Sequence, residues 1–584
     1  MHCRFRYLLL GLCFILPLLR PDLSHGATIT MKAYDADGGS LSFAQFMDIV
    51  NCSELGLGSD SDMIVNLSDY TIISGWPMVN SGGNPAFDFT GSGVGLSIIW
   101  MTENTGYSTF FMDNEGGGFS DSATIIFNLQ LALDYWRKLG NALDARPGYI
   151  RSAAFLEAYD EASSLLESAE AAGEDSEKGR LGQLALDRIL TAQEIMLLEY
   201  GLQKGRQRVA AGEALWWGVT VDRRDGHAGV MDSISSLVDG STTEGYARIV
   251  FDEWQPASGY DDIVAAAHDR GLHVVGEILD SFYMDEYSLA QFQERVREYV
   301  DRFPGIEVWE VGNEVGGAWL GSGVMEKVSY AAEYVKTADA SDLTMLTLFW
   351  QYGAGDGPDC SLFNYARDNI GADLASNIDV IALSTYVTQC PMGASYDEIM
   401  TKLHERFPSQ TIVIGELDYW IDGGWLAYWW RSTENPGTAV RTALMEQFYA
   451  AGLGYDFSMG GGFWWNYLTE MYPPNDLWES LHALYLSAHE PPPMEPGPET
   501  TLEPMEEPGE EPETEPGTEP APEPEPEAAP DSTAEAADAV DEADASTDAA
   551  PDAHPDAAGD PAQDPAADPD PDDPDEGCGC SVVR

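Results

Sequence analysis

Between residues 214 and 488 the chain alternates short apolar runs with amphipathic stretches, eight times over roughly 275 residues. The apolar runs predict strands at 215–221, 247–251, 273–279, 307–311, 344–349, 380–384, 411–415 and 457–464. Between them, 261–270, 288–303, 324–340, 396–407 and 439–451 carry helical spacing. Ser288 and Ser395 stand as N-caps, and Gly271 and Gly452 as stops. Eight strand–helix units of this length fit an α/β fold, the (β/α)8 TIM barrel. A doubly wound open sheet is the alternative, but no glycine-rich phosphate loop follows the first strand.

Two of the strands end in glutamate. Asn313-Glu314 closes the fourth and Gly415-Glu416 the seventh. A side chain at the C-terminal end of a barrel strand points into the mouth where catalysis takes place. Strands four and seven face each other across that mouth, which can bring two carboxyl groups to about 5–5.5 Å, the spacing for glycoside cleavage with retention. Carboxyls that close must differ in proton affinity. Glu416 is assigned as nucleophile and Glu314 as general acid, then general base. One strand-end glutamate is ordinarily an ion-pair partner or a solvated loop residue. Two on opposed strands, with Asn313 before the first, point to catalysis.

These residues resemble the large clan of retaining glycoside hydrolases built on (β/α)8 barrels. Within it, Gly415-Glu416-Leu417-Asp418 is similar to the Thr-Glu-Leu-Asp nucleophile segment of the family-10 xylanases. Glu253-Trp254-Gln255-Pro256 is similar to their Lys-Trp-Glu-Pro, and Gly276-Glu277 stands where they have Gly-His. The resemblance covers residues 214–488. It implies that Asn313 hydrogen-bonds the sugar 2-hydroxyl, that Trp254 and Glu277 line the sugar pocket, and that Trp464 forms its floor. Tyr386 would orient Glu416, because the family's supporting histidine is Thr385 here. With Glu253, Glu277 and Ser281 replacing the family's Lys, His and Trp, the catalytic pair is kept while the pocket is rebuilt, so xylan does not carry over as the substrate. Trp420, Trp425, Trp429 and Trp430 crowd the loop after strand seven, and Trp464-Trp465 end strand eight. Sugar rings stack on indole, so these suggest an oligosaccharide cleft, the alternative being packing between loops.

The flanks read differently. Residues 1–26 have a secretory pattern: His2, Arg4 and Arg6, an apolar core over 8–19 too short to span a bilayer, and Ser24-His25-Gly26 as cleavage site. Residues 27–128 predict a small β-sandwich-like domain, in which Trp76, Trp100 and Tyr107 are either sugar-stacking or core residues. Residues 129–210 predict a helical connector, and the barrel spans 211–489. Glu-Pro and then Asp-Ala-Pro repeats over 490–584 predict a disordered acidic tail. Its end, Gly577-Cys578-Gly579-Cys580, resembles the C-terminal surface-sorting signals of myxobacteria, without their apolar helix and arginine cluster. It suggests anchoring through Cys578 or Cys580. The expected location is therefore the medium or a bacterial cell surface.

Export permits disulfides, and Cys360 and Cys390, after neighbouring strands, are either a bridge or two buried thiols. No cysteine or histidine spacing suits zinc, so neither a catalytic metal nor another cofactor is expected. The net charge is −70, of which residues 491–584, thirty acids against Arg584, hold −29 and residues 1–490 hold −41. Such a charge disfavours nucleic acid and anionic membranes and is compatible with a salty habitat or with an uncharged polysaccharide substrate. A monomer is expected. Three functions remain. One is an exported retaining endo-glycosidase of xylanase type. Another is a surface-displayed carbohydrate-binding barrel that keeps its carboxylates without turnover. The third, a purely structural surface or adhesion protein, draws on the β-rich part and the tail but leaves the paired glutamates unexplained.

Overall fold

The structure, a computed structural model, describes residues 26–51, 62–222, 227–352, 357–388, 390–419, 430–431 and 437–491. The expected signal segment, the acidic tail with Cys578 and Cys580, and Trp420, Trp425 and Trp429 lie outside these residues.

Two four-stranded sheets come first. Their strands are β1 (Ala27–Lys32), β2 (Met63–Asn66), β3 (Ile72–Gly75), β4 (Met78–Ser81), β5 (Asn84–Phe89), β6 (Val94–Thr102), β7 (Gly106–Met112) and β8 (Ala123–Ile126). One sheet runs β4-β5-β1-β8 and the other β3-β2-β6-β7. The helix Phe43–Val50, which the strand-rich reading of this stretch did not anticipate, has a capping box between Ser42 and Gln45 and buries Phe46 against Trp100 and Phe127. β8 runs directly into the helix Phe127–Asp144, followed by Ala153–Ala171 and the 36-residue Asp175–Ala210.

The barrel closes from eight parallel strands: β9 (Trp217–Val221), β10 (Gly245–Val250), β11 (His273–Glu277), β12 (Val308–Val315), β13 (Leu343–Phe349), β14 (Val380–Tyr386), β15 (Thr411–Asp418) and β16 (Phe463–Trp464). Ser288 caps the helix Leu289–Arg302 through a capping box with Gln291. Ser395 caps nothing; its hydroxyl donates to the Thr109 carbonyl in the β-rich part. The eighth strand is far shorter than its apolar run, because Gly460 and Gly461 take left-handed φ of 71° and 63° and break the extended chain. One interior layer is apolar, with Tyr246, Val275, Val308, Met345, Val413 and Phe463 packed together. Strand alternation places the next inward residues two positions on. Those are Arg248, Glu277, Glu310 and Thr347, all buried. The barrel therefore carries a charged layer directly above an apolar one.

The N-terminal elements are fastened to the barrel by buried polar groups. Glu398, on the helix Tyr396–Arg406 after strand six, receives Lys138 Nζ at 2.7 Å and the Tyr70 hydroxyl at 2.5 Å. Removing one member of such a group leaves the other charge stranded, at a cost of about 3 kcal/mol. Glu398→Ala is expected to lower the urea midpoint by that amount, with Glu398→Gln intermediate because it still accepts from Tyr70. Equal midpoints for wild type and Glu398→Ala would remove this role. The side chain of Asn364 binds both backbone groups of Ile72 in β3, at 2.6 and 3.1 Å. The Tyr352 hydroxyl donates to the Tyr70 carbonyl beside it.

Cys360 and Cys390 form no bridge. Cys390 is buried where Trp350 donates to its carbonyl, and burial pushes its thiol up to about 12. Cys360 ends the short turn Pro358–Cys360, which packs against Gly316.

Candidate active site

At the C-terminal ends of the strands the polar layer converges on Glu416. Its Oε1 accepts Arg248 Nη2 at 2.6 Å and Asn313 Nδ2 at 2.7 Å. Its Oε2 accepts the Tyr386 hydroxyl at 2.8 Å, with Ser384 Oγ 3.3 Å away. A local slip in the sheet aims this side chain. β14 and β15 stay in register through Leu383 and Ile414, then shift so that Ser384 pairs with Glu416. With Val413 facing inward, strict alternation would turn Glu416 outward; the extra residue, Gly415, turns it in. A Cβ at Gly415 would meet the Ala382 methyl at 2.8 Å and Thr347 Oγ1 at 3.1 Å, so the bulge needs glycine.

Arg248 is the fixed cation of the site. Completely buried, it forks onto Glu310 through Nε at 2.7 Å and Nη2 at 3.1 Å, and Nη2 also reaches Glu416. Burial alone would weaken its hold on its proton; Glu277, Glu310 and Glu416 more than reverse that. Both N–H bonds of Nη2 are spent on Glu310 and Glu416. Glu277 Oε2, 2.9 Å from the same nitrogen, therefore receives no hydrogen bond. Burial drives the Glu277 carboxyl well above the usual range, against the pull of Arg248, and the charges on Glu310, Asp280 and Glu416 add to the rise.

Glu314 ends the fourth strand with a left-handed φ of 47°, a sparsely populated conformation for a glutamate. Its Oε1 meets Ser384 Oγ at 2.6 Å and its Oε2 meets Ser281 Oγ at 2.9 Å. Burial pushes it up to about 8, with the Glu416 charge adding to the rise and the two serine hydroxyls opposing it. Ser384 thus touches both glutamates, at 2.6 and 3.3 Å, which caps the gap between those carboxyl oxygens at about 6 Å. A hydroxyl has one proton to give. It can donate to Glu416 while accepting from a protonated Glu314.

The seven residues singled out in the sequence do not all meet. Glu314, Glu416, Asn313 and Tyr386 form one hydrogen-bonded group, and Glu277 adjoins it through Arg248. Trp254 stands apart on the rim after strand two, 52% exposed, its ring stacked on Tyr287 with centroids 4.0 Å apart. Trp464 is corrected: it is fully buried, and its indole N–H donates to Glu470 at 2.9 Å. Phe463 faces the barrel interior, so alternation sends Trp464 outward and brings in its neighbour. Trp465 lies over the Arg248 guanidinium, 5.5 Å from its ring, and is the indole at this site. Trp430, Trp100 and Tyr107 are buried packing residues, whereas Trp76 is exposed.

The sequence reading missed Arg248, Ser384 and Glu310. An arginine inside the apolar run Ala247-Arg248-Ile249-Val250 was the available signal, since an interior charge demands a partner. Nothing comparable marked Ser384.

No protein-family model and no curated protein matches the chain. Solved structures do. An FMN-binding β-glucuronidase from Facaelibacterium prausnitzii L2-6 aligns at 13% identity and a TM-score of 0.35, over 47% of this chain and 44% of that one. A GH113 β-mannanase from Alicyclobacillus acidocaldarius aligns at 11% identity and 0.34, over 47% of this chain and 98% of that one. A GH10 xylanase from Thermobacillus composti aligns at 14% and 0.31, over 46% and 96%. The chain spans about half the length of the first of these. Identities and scores this low leave function to the geometry of the site.

Proposed function

We propose that this protein is an exported glycoside hydrolase that cleaves a β-linked polysaccharide internally, as a monomer and with retention of configuration. The observation that carries the reading is the Ser384 hydroxyl in contact with both Glu314 and Glu416, which holds their carboxyl groups within about 6 Å. Retaining enzymes need about 5–5.5 Å, and inverting ones leave roughly 6.5–9.5 Å for a water. The closeness also favours turnover over the binding-only alternative.

In this mechanism Glu416, whose partners all donate to it, attacks the anomeric carbon and forms a glycosyl–enzyme ester. Glu314 gives its proton to the departing glycosidic oxygen. It then takes a proton from the water that attacks the ester, and the glycan leaves with its β-configuration restored. Asn313, which donates to Glu416 Oε1, serves the sugar 2-hydroxyl in this reading by turning from its Glu310 contact. Trp254 and Trp465 offer faces for sugar rings, and Glu277 serves the pocket from beneath, through its contact with Arg248.

Soluble xylan, β-glucan, β-mannan and β-galactan are the assay panel, with proton NMR following the new reducing end. The β-anomer is expected first, mutarotating later. An α-anomer appearing first would mean inversion, and no cleavage of any glycan would end the hydrolase reading.

Glu314 also sets a pH limit. The acid must carry its proton, so kcat/KM is expected to fall tenfold per pH unit above about 8, where Glu314 ionises. Glu314→Gln removes both the acid and this alkaline limb. A variant that keeps the wild-type limb would assign the acid to another group.

A further inference from the structure

Two hydrogen bonds beside the acid have their direction fixed by chemistry. An indole nitrogen can only donate, so the 3.2 Å contact between Trp319 Nε1 and Ser281 Oγ is Trp319 giving and Ser281 accepting. Ser281 is 3% exposed, and its hydroxyl has one proton of its own. The other atom that hydroxyl touches is Glu314 Oε2, 2.9 Å away. If Oε2 carried the acid's proton, it would have to donate to Ser281 Oγ. The buried serine proton would then be left without an acceptor among the described residues. With the proton on Oε1 every group is satisfied. Oε1 donates to Ser384 Oγ at 2.6 Å, Ser384 donates towards Glu416 Oε2 at 3.3 Å, and Ser281 donates to Oε2.

The turn after Glu314 brings the indole to that serine. The Gly317 N–H returns to the Glu314 carbonyl at 3.2 Å, and the indole lies over Gly317, where a Cβ would collide with its ring. Phe349, the last residue of β13, meets it edge-on, with centroids 4.9 Å apart and planes at 85°. Ser281 is held from its own side as well, since its backbone N–H donates to Asn313 Oδ1 at 3.1 Å. Both ends of the bond are therefore fixed, and the indole N–H stays on the serine.

We propose that Trp319 is a positioning residue for the general acid: through Ser281 it bars the catalytic proton from Glu314 Oε2 and keeps it on Oε1, the oxygen that Ser384 joins to the nucleophile. This inference rests on the hydrolase reading for the acid's role, and its test separates the two. When the departing glycosidic oxygen takes the proton from Oε1, the electron pair of the broken O–H bond stays on Glu314. Ser281 already donates to the carboxylate that results, so its dipole need not turn as the charge forms. Burial and the charges of Glu416 and Asp280 hold the Glu314 proton on, the Ser384 and Ser281 hydroxyls help it off, and Tyr386 faces the same carboxyl from strand six.

Carbon-13 NMR of the full-length chain, labelled at glutamate Cδ, reads this without turnover. The Glu314 signal is the carboxyl that still titrates near pH 8 and is absent from Glu314→Gln. Trp319→Phe keeps an aromatic ring and removes the N–H. Ser281 can then accept from Oε2, the protonated acid gains a second arrangement, and the midpoint is expected to rise by on the order of half a pH unit. Ser281→Ala should raise it at least as far. Adding Trp319→Phe to Ser281→Ala should change nothing more, because the indole acts through the serine. On whichever glycan of the panel is cleaved, the alkaline limb of kcat/KM should move with the midpoint. A midpoint unmoved by Trp319→Phe, or additive shifts in the double variant, would overturn the role. Midpoints that move as expected in a chain that cleaves no glycan would keep the proton placement and sink the hydrolase.

Discussion

Glu416→Gln is expected to lower kcat on the cleaved glycan by about 10⁴-fold or more, the scale of losing a covalent nucleophile. The fold should survive. An amide can offer its oxygen to Arg248 and Asn313 and its N–H to Tyr386, whose hydroxyl can turn to accept. Circular dichroism and the urea midpoint should therefore stay close to wild type while activity vanishes. Residual kcat above about 1% of wild type would place the nucleophile elsewhere.

The largest effect on stability is expected from Arg248→Met. Methionine fills a similar volume but leaves Glu310, Glu416 and Glu277 buried without a cation, at a cost of about 3–5 kcal/mol. The sign of the pH dependence follows from the same charges. Arg248 opposes the rise that burial imposes on Glu277, so its removal raises the folded-state value further. A carboxyl whose folded value lies above its unfolded value contributes stability below the unfolded value and loses it as pH rises through the folded one. The deficit of the variant should thus be smaller near pH 5 than near pH 7. Equal deficits at the two pH values, or a loss below about 1 kcal/mol, would contradict the charge balance drawn here.

The barrel was legible because each strand is a short apolar run between amphipathic helices, and counting to four and seven located both glutamates. What surrounds them was harder to read. Arg248 lies inside a run that looks like ordinary core, and only three-dimensional closure reveals the carboxylates it serves. Ser384 meets both glutamates because of a one-residue slip between two strands, and a bulge leaves no periodic trace in sequence. The same parity problem affected the last indole: adjacent tryptophans face opposite sides of a strand, so Trp464 donates to Glu470 while Trp465 lies against the Arg248 guanidinium. Cys360 and Cys390, readable as either a bridge or two thiols, are thiols, since neighbouring loops bring them to one end of the barrel without joining their sulfurs.

β3 is the outer strand of its sheet, and an outer strand presents an open hydrogen-bonding edge to any passing chain. Here the amide of Asn364 occupies that edge at Ile72, so a barrel helix serves as a chemical stopper for a sheet it does not belong to. A gene fragment cut after residue 128 would uncork the edge and invite strand-to-strand aggregation. Descendants of this protein are therefore expected to inherit the two parts together, as one unit of selection.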